Sequence, residues 1–303
     1  MLFHSLKIKS INGLTYFSNK FSKLKPKFLI NDQQDAHEFL SYILEALDDC
    51  KEFLNQTKEQ LLVESTFNGS ITKNIICQHC KKCKKSKEKF NILTIPVDIN
   101  SDIKSSKYGA WSLARWSKLE ILDGENKYQC DSCKSKQIAL MFPWIESKPN
   151  ILILHICRFN VLDKTNLSSI YNYNIAEKIK GTFPVPFFLP LIHHYFHGEY
   201  RNEMYHKNIM EQYESPENIK KQYSTKEFLK KTFVGYYLNA MIIHIGHNLN
   251  CGHYVTATCS QNNPLKWNIY DDENVIKMNI FEIFEKKNYS PYIIFYEKNF
   301  SKS

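Results

Sequence analysis

Two cysteine pairs, Cys77-x-x-Cys80 and Cys130-x-x-Cys133, occupy well-separated parts of the chain. A CxxC turn offers two thiolates from one tight bend, and two such turns closing on one zinc make a tetrahedral site with no open position. The fold must therefore bring these turns together. The pattern reads as a long, two-lobed zinc ribbon rather than two unrelated pairs of buried cysteines. Cys83, close behind the first pair, competes as a ligand. Nine cysteines are an odd number, and with four of them in CxxC turns they argue against a disulfide framework. A reducing, intracellular compartment is expected, cytoplasm and/or nucleus.

At 303 residues and 43% hydrophobic, the chain can bury a large core as one elaborate domain or two smaller ones. No cleavable apolar segment opens it. The longest apolar runs, such as Ile151 to Leu154 and Met241 to Ile243, fall far short of a bilayer span, so neither secretion nor membrane insertion is expected. The 40 Lys and Arg against 31 Asp and Glu give a formal charge of +9, which fits an acidic partner or nucleic acid. Only Lys81 to Lys89 forms a dense run, and no basic helix or tail accompanies it. A solvated, finger-like tip accounts for the run, and no nucleic-acid contact is expected.

From Asp32, apolar Ala36, Phe39, Leu40, Ile43, Leu44 and Leu47 recur at three- and four-residue steps. The spacing predicts an amphipathic helix to about Asp49, capped by Asn31 or Asp32, with Asp32 and Asp35 against its N-terminal dipole. Phe67 to Ile76, Phe90 to Ile99 and Ile138 to Ile145 read as strands, and Trp111 to Leu119 as a short helix. Ile151 to Phe159 is apolar on both faces, as a central strand is. His193 to Lys231 is polar with only a weak helix near Thr225 to Lys231, and reads as an insertion. Val234 to Ile245, His253 to Cys259, Lys266 to Tyr270 and Tyr292 to Tyr296, separated by Gly, Asn and Pro turns, read as an antiparallel meander.

Within that meander, Gly252 permits close backbone approach ahead of His253, and the Trp267 to Asp272 turn brings Asp271 toward the imidazole from a neighbouring strand. A histidine with a carboxylate to orient it is the base-and-orienter pair that turns a thiol into a nucleophile. Alone, a strand histidine near an aspartate is more often structural. The other landmarks favour the catalytic reading.

In their order, these landmarks resemble the ubiquitin-specific proteases, the papain-like deubiquitinases with thumb, fingers and palm. The resemblance rests on Gln33 to Leu40, the paired CxxC turns, Leu152 to Phe159, Tyr237 to Gly246, the box at His253, and Trp267 to Asp272, and spans nearly the whole chain. It implies an α+β papain-like fold, with a partial thumb over 1–66, zinc-binding fingers over 67–148, and a palm with an antiparallel sheet over 149–303, interrupted by the insertion 193–231. His253 would be the general base, Asp271 its orienter and Asp272 a supporting carboxylate. Asp35, His244, Gly252 and Tyr254 would line the channel for the ubiquitin tail, Asp35 pairing with arginines of that tail. Cys77, Cys80, Cys130 and Cys133 would hold a structural zinc. The implied partners are ubiquitin and ubiquitinated proteins. Leu2-Phe3-His4-Ser5 and Lys134-Ser135-Lys136-Gln137 look most like the small members activated by WD-repeat propeller proteins.

The family carries its nucleophilic cysteine, and an oxyanion-hole asparagine, at the start of a thumb helix well before the box at Gln33. This chain begins after that point. The expectation is a cysteine-type deubiquitinase domain without the N-terminal part of its thumb, truncated and inactive as it stands. The alternative is a non-catalytic pseudo-protease that still binds ubiquitin or a propeller. Cys50 falls at the far end of the predicted helix, and Cys157 and Cys259 read as strand core. Cys251 shares a strand with His253 but lacks a helix N-terminus to lower its pKa.

Overall fold

The computed structural model describes residues 19, 21–23, 34–49, 64, 66–97, 113–117, 119–161, 176–178, 185–190, 216–224, 234–246, 252–260 and 263–299. In chain order the first strands are β1 (Gly69–Cys77), β2 (Cys83–Phe90), β3 (Leu93–Pro96), β4 (Glu120–Leu122), β5 (Tyr128–Cys130) and β6 (Ser135–Gln137). They are followed by β7 (Ala139–Ser147), β8 (Ile151–Cys157), β9 (Phe159–Val161), β10 (Ala176–Lys178) and β11 (Phe188–Pro190). The last five are β12 (Gly235–Gly246), β13 (Gly252–Ser260), β14 (Asn263–Asp271), β15 (Asn274–Asn279) and β16 (Tyr289–Asn299). The helices are α1 (Ala36–Asp49), α2 (Leu113–Trp116), α3 (Pro216–Ser224) and α4 (Ile280–Glu285).

A four-stranded sheet in the order β2-β1-β7-β4 carries the cysteine turns at one end, and the short β5-β6 hairpin bears the second CxxC. An eight-stranded sheet follows the order β15-β14-β13-β12-β16-β8-β3, with β11 also paired to β12. Its pairings are antiparallel except that of β3 with β8. β3 comes from the stretch preceding the second CxxC, so the chain leaves the small sheet, adds one parallel strand to the large one, and returns.

β8 is an interior strand buried on both faces, as its two-sided apolar pattern predicts, though it lies one in from the edge strand β3 rather than at the middle of the sheet. Leu152, Leu154 and Ile156 enter the main core with Trp267, Met241 and Tyr296. Ile153 faces the other way and joins Leu44 of α1, Tyr292 and Ile293. The helix is thus fixed to the sheet by one buried leucine, with Ala36 and Leu40 packed around it.

Local details differ from the expectations. Lys81 to Lys89 is solvated as expected, every residue of it exposed, but it is not a free loop: residues 83–90 form β2, an edge strand paired along its length with β1. Its lysines meet carboxylates, Lys84 with Asp131 at 2.8 Å, Lys87 with Glu146 at 3.0 Å and Lys89 with Glu64 at 3.9 Å. Those pairings oppose three lysines of the run, and lysine on an exposed edge discourages pairing with other sheets. Of the strand expected over Phe90 to Ile99, Phe90 ends β2 and Leu93–Pro96 form β3, while residues 98 and 99 lie outside the described residues.

Among the described residues of 193–231 lies one helix, α3, Pro216–Ser224, while Thr225 to Lys231 falls outside the described residues. Ile219, Gln222 and Tyr223 of α3 are buried; Tyr223 donates to the Val185 carbonyl at 3.0 Å and Gln222 accepts from the Phe188 amide at 3.1 Å. Those core contacts, made by an otherwise polar helix, hide its period from a sequence reading. The start of α1 also differs: Asp35, not Asn31 or Asp32, caps it, its Oδ1 accepting from the Glu38 amide at 2.9 Å. Asn31 and Asp32 lie outside the described residues.

Candidate active site

β13 and β14 are hydrogen-bonded neighbours, with Thr256 opposite Tyr270. That register places His253, near the start of β13, beside Asp271 at the end of β14. The imidazole Nε2 lies 2.6 Å from Asp271 Oδ1. Asp272 follows in the turn, with a left-handed φ of 51°, and its Oδ2 is 3.9 Å from the same nitrogen. A carboxylate only accepts, so Nε2 carries the hydrogen and Nδ1 presents its lone pair outward. A ring held in that tautomer is set to take a proton from a thiol arriving on the Nδ1 side.

Beside this pair lies a polar network that links α1 to the palm. Asp35 Oδ2 accepts from the Tyr292 hydroxyl at 2.6 Å and from Tyr254, the residue after His253, at 3.4 Å. With the cap to Glu38, three donors converge on a carboxylate that has about four acceptor positions. Burial, with the Asp35 carboxylate adding to it, raises the phenol pKa of both tyrosines well above the usual value. Where an arginine partner is expected for Asp35, the structure shows it holding the helix start to β13 and β16.

His244 of β12 is buried against Tyr254, with ring centroids 5.0 Å apart, and sits 6.4 Å from Tyr292. Gly252, opposite Gly246, is the close-approach position expected, but the approaching group is the His244 ring. A Cβ at Gly252 would fall on His244 Nε2, 2.8 Å from its Cε1 and 3.0 Å from the Ile245 carbonyl oxygen.

The predicted site residues therefore gather as two groups, His253 with Asp271 and Asp272, and Asp35 with Tyr254, His244 and Gly252. The sequence reading missed Tyr292, His37 and His155. Tyr292 lies in an apolar run that gives no local sign of its hydroxyl's partner. His37 and His155 sit inside motifs already assigned to a helix and a core strand.

No described cysteine can serve His253. Cys259 is six residues along the same strand, about 20 Å at 3.3 Å per residue, and Cys157 is three strands away, about 14 Å at the usual spacing. Cys157 and Cys259 are half-buried rather than fully in the core. Cys50 and Cys251 lie outside the described residues.

The other convergence is the thiol cluster. Cys77, Cys80, Cys130 and Cys133 present sulfurs that all lie within 4.8 Å of one another. Cys77 and Cys133 are 3.9 Å apart, and Cys80 and Cys130 3.7 Å. Four sulfurs at 2.3 Å from a tetrahedral zinc would stand about 3.8 Å apart, so the set fits that ion.

The two knuckles share one backbone form. Lys81 and Lys134 have φ of 60° and 55°, and each amide donates to the carbonyl of the first cysteine of its turn at 2.9 Å. Backbone amides of the knuckle, that of Cys133 first, pull the Cys130 thiol down to about 7, and burial pushes Cys133 up to about 12. His79 Nδ1 lies 3.5 Å from Cys133 Sγ as an outer contact. Cys83 is not among the four: its sulfur turns to Asn74 Oδ1 at 3.8 Å and to the Lys84 carbonyl at 3.9 Å.

A sequence model of the family described as "Ubiquitin carboxyl-terminal hydrolase" matches residues 2–296. The chain belongs to the ubiquitin carboxyl-terminal hydrolase family. Among relatives, "Probable ubiquitin carboxyl-terminal hydrolase 9" of Schizosaccharomyces pombe is 28% identical over 256 residues, covering 83% of this chain and 36% of that protein. "Ubiquitin carboxyl-terminal hydrolase 4" of Arabidopsis thaliana is 25% identical over 288 residues, 86% of this chain and 65% of the relative. "Ubiquitin carboxyl-terminal hydrolase 12" of Salmo salar is 25% identical, covering 88% and 67%.

The first two relatives are longer proteins, of which the chain spans 36% and 65%. Its fold matches the solved "SAGA Ubp8/Sgf11/Sus1/Sgf73 DUB module bound to ubiquitin aldehyde" with a TM-score of 0.67 at 20% identity, over 95% of this chain and 54% of that one. The chain is thus a ubiquitin-specific protease domain of mixed α+β architecture, and its four-cysteine cluster could hold a metal ion.

Proposed function

We propose that this domain supplies the base and orienter of a cysteine deubiquitinase, cleaving the isopeptide bond after the last glycine of ubiquitin. The 2.6 Å contact of His253 Nε2 with Asp271 Oδ1 carries the reading, because it fixes the tautomer that leaves Nδ1 free to deprotonate a thiol. Asp272 adds negative charge behind the ring. Asp35, His244, Gly252 and Tyr254 form the wall of a channel for the extended ubiquitin tail. Cys77, Cys80, Cys130 and Cys133 hold a structural zinc, which needs no open position and takes no part in the chemistry. The division into partial thumb 1–66, fingers 67–148 and palm 149–303 goes with this reading, as does an intracellular, thiol-reducing location in cytoplasm and/or nucleus. A WD-repeat propeller activator is the partner suggested by the sequence resemblance alone.

A second reading has one observation in its favour. Among the described residues no thiol lies within reach of His253, which suits a pseudo-protease that binds ubiquitin, or a propeller, without cleaving it. Since the family's nucleophilic cysteine is expected before Gln33, a ubiquitin probe ending in a thiol-reactive warhead separates the two once a thumb segment carrying that cysteine is supplied, in cis or as a separate fragment. Labelling that disappears in His253→Gln supports the protease. Saturable binding of monoubiquitin without labelling, even with that segment, supports the pseudo-protease, and failure to bind ubiquitin at all sinks both.

A further inference from the structure

Next to the Asp35 carboxylate, two imidazoles lie face to face. His37, in the first turn of α1, and His155, in β8, have ring centroids 3.9 Å apart and planes 13° from parallel. Tyr292 of β16 meets the His155 ring edge-on at 4.8 Å, and Thr94 Oγ1 of β3 lies 3.3 Å from its Nδ1. His155 is only 8% exposed, and its Nε2 is buried with no hydrogen-bond partner. The proposed chemistry uses neither histidine.

We infer that the stacked His37–His155 pair is a proton-sensitive clamp that fixes the N-terminus of α1, and with it the Asp35 carboxylate, against the palm sheet. Four elements meet at the stack: α1 through His37, β8 through His155, β3 through Thr94 and β16 through Tyr292. A neutral imidazole suits this place, since Nδ1 is paired with a hydroxyl and the ring faces are filled. A proton on His155 would turn both nitrogens into donors, leave the buried Nε2–H without an acceptor, and set a charge against its stacked neighbour.

Burial lowers the His155 pKa to about 4, with His37 adding to the shift. Burial also lowers that of His37, while the Asp35 and Glu38 carboxylates of α1 pull it up. Among the described residues, the other titratable groups around the stack are Tyr292 and, beyond it, Cys157 of β8, His244 of β12 and, through Asp35, Tyr254 of β13. A proton on His37 sets it in competition with those two hydroxyls for the Asp35 carboxylate. Since both histidine pKa values sit below the ordinary 6.5 when the clamp is closed, the clamp holds fully above about pH 6.5 and loosens as pH falls toward about 4.

The clamp stands on the geometry of α1 and the palm; only its effect on ubiquitin rests on the function proposed above. Hydrogen exchange of the Glu38, Phe39 and Leu40 amides, corrected for intrinsic rates, tests it directly. Moving from about pH 7.5 to about 5.5 should raise the opening equilibrium about tenfold, the change set by one histidine at about 4 when closed and about 6.5 when open. Amides in the middle of β12 should not follow. His155→Phe keeps an aromatic face for the stack and cannot take the proton, so it should flatten this acid limb. An acid limb unchanged in His155→Phe, or no limb in the parent, overturns the inference.

If that variant fails to fold, the His155 imidazole resonances of the parent decide. They should stay those of a neutral ring down to about pH 5, and titration near 6.5 overturns the clamp. Monoubiquitin affinity of the parent should weaken over the same interval, and that of His155→Phe should not. Ubiquitin that binds at no pH, with exchange behaving as stated, counts against the proposed function and leaves the clamp supported.

Discussion

Replacing Gly252 by alanine adds one methyl group in the tightest part of the site. The new Cβ falls on His244 Nε2, 2.8 Å from Cε1 of the same ring and 3.0 Å from the Ile245 carbonyl oxygen. Ordinary carbon contacts lie near 3.5 Å, so the ring must retreat by about 0.7 Å or more. It has little room, being buried between Tyr254 and Tyr292. The carbonyl belongs to the paired strand β12, so the spacing of β12 and β13 must open as well.

Overpacking of this kind costs about 1–3 kcal/mol. Urea denaturation at neutral pH should show the loss as a lower midpoint at unchanged slope. The strain falls one residue from His253, so the hydrogen bond to Asp271 should lengthen too, visible as an upfield shift of the shared proton. A Gly252→Ala protein as stable as the parent, with that proton unmoved, would refute the reasoning and show that His244 can leave its place freely.

Other outcomes follow from the same geometry. Purified protein should carry close to one zinc per chain by elemental analysis, because four-sulfur sites bind with apparent energies on the order of 10–16 kcal/mol; a folded Cys133→Ser as stable as the parent would remove the assignment. Lys134→Gly should stabilise the second knuckle by about 1 kcal/mol in thermal unfolding, since a residue at φ 55° prefers no Cβ. Tyr292→Phe removes the 2.6 Å donor to Asp35 and should cost about 1.5–3 kcal/mol, the range for a bond to a charged acceptor. Exchange of α1 amides would report the local part of that loss.

Much of this architecture is written locally. Alternating apolar residues mark β12 to β14, two-sided burial marks β8, and the CxxC turns mark where two distant segments must meet. The proposed base and orienter stand out in the sequence because a glycine, a histidine and an aspartate fall at strand ends that a meander brings together. What escaped depends on pairing across the fold. Tyr292 earns no notice until Asp35, far away in sequence, reaches its hydroxyl. The stack of His37 on His155 needs the helix docked on the sheet before it exists. The lysine-rich run gives no local sign of its pairing with β1, or of the carboxylates Asp131, Glu146 and Glu64 that meet three of its lysines from other segments.

Residues 83–97 connect the cysteine turns with the histidine stack as one nearly unbroken extended segment. β2 leaves the first knuckle, turns over Asn91 and Ile92, and becomes β3, whose Thr94 touches His155. At about 3.3 Å per residue such a segment has a contour length of roughly 50 Å, with one bend in it. A tether of that kind transmits displacement. Movement of the knuckle end along β2 would be felt on β3, and then at Thr94, so that a metal ion held by the four cysteines would also influence how firmly the start of α1 is held.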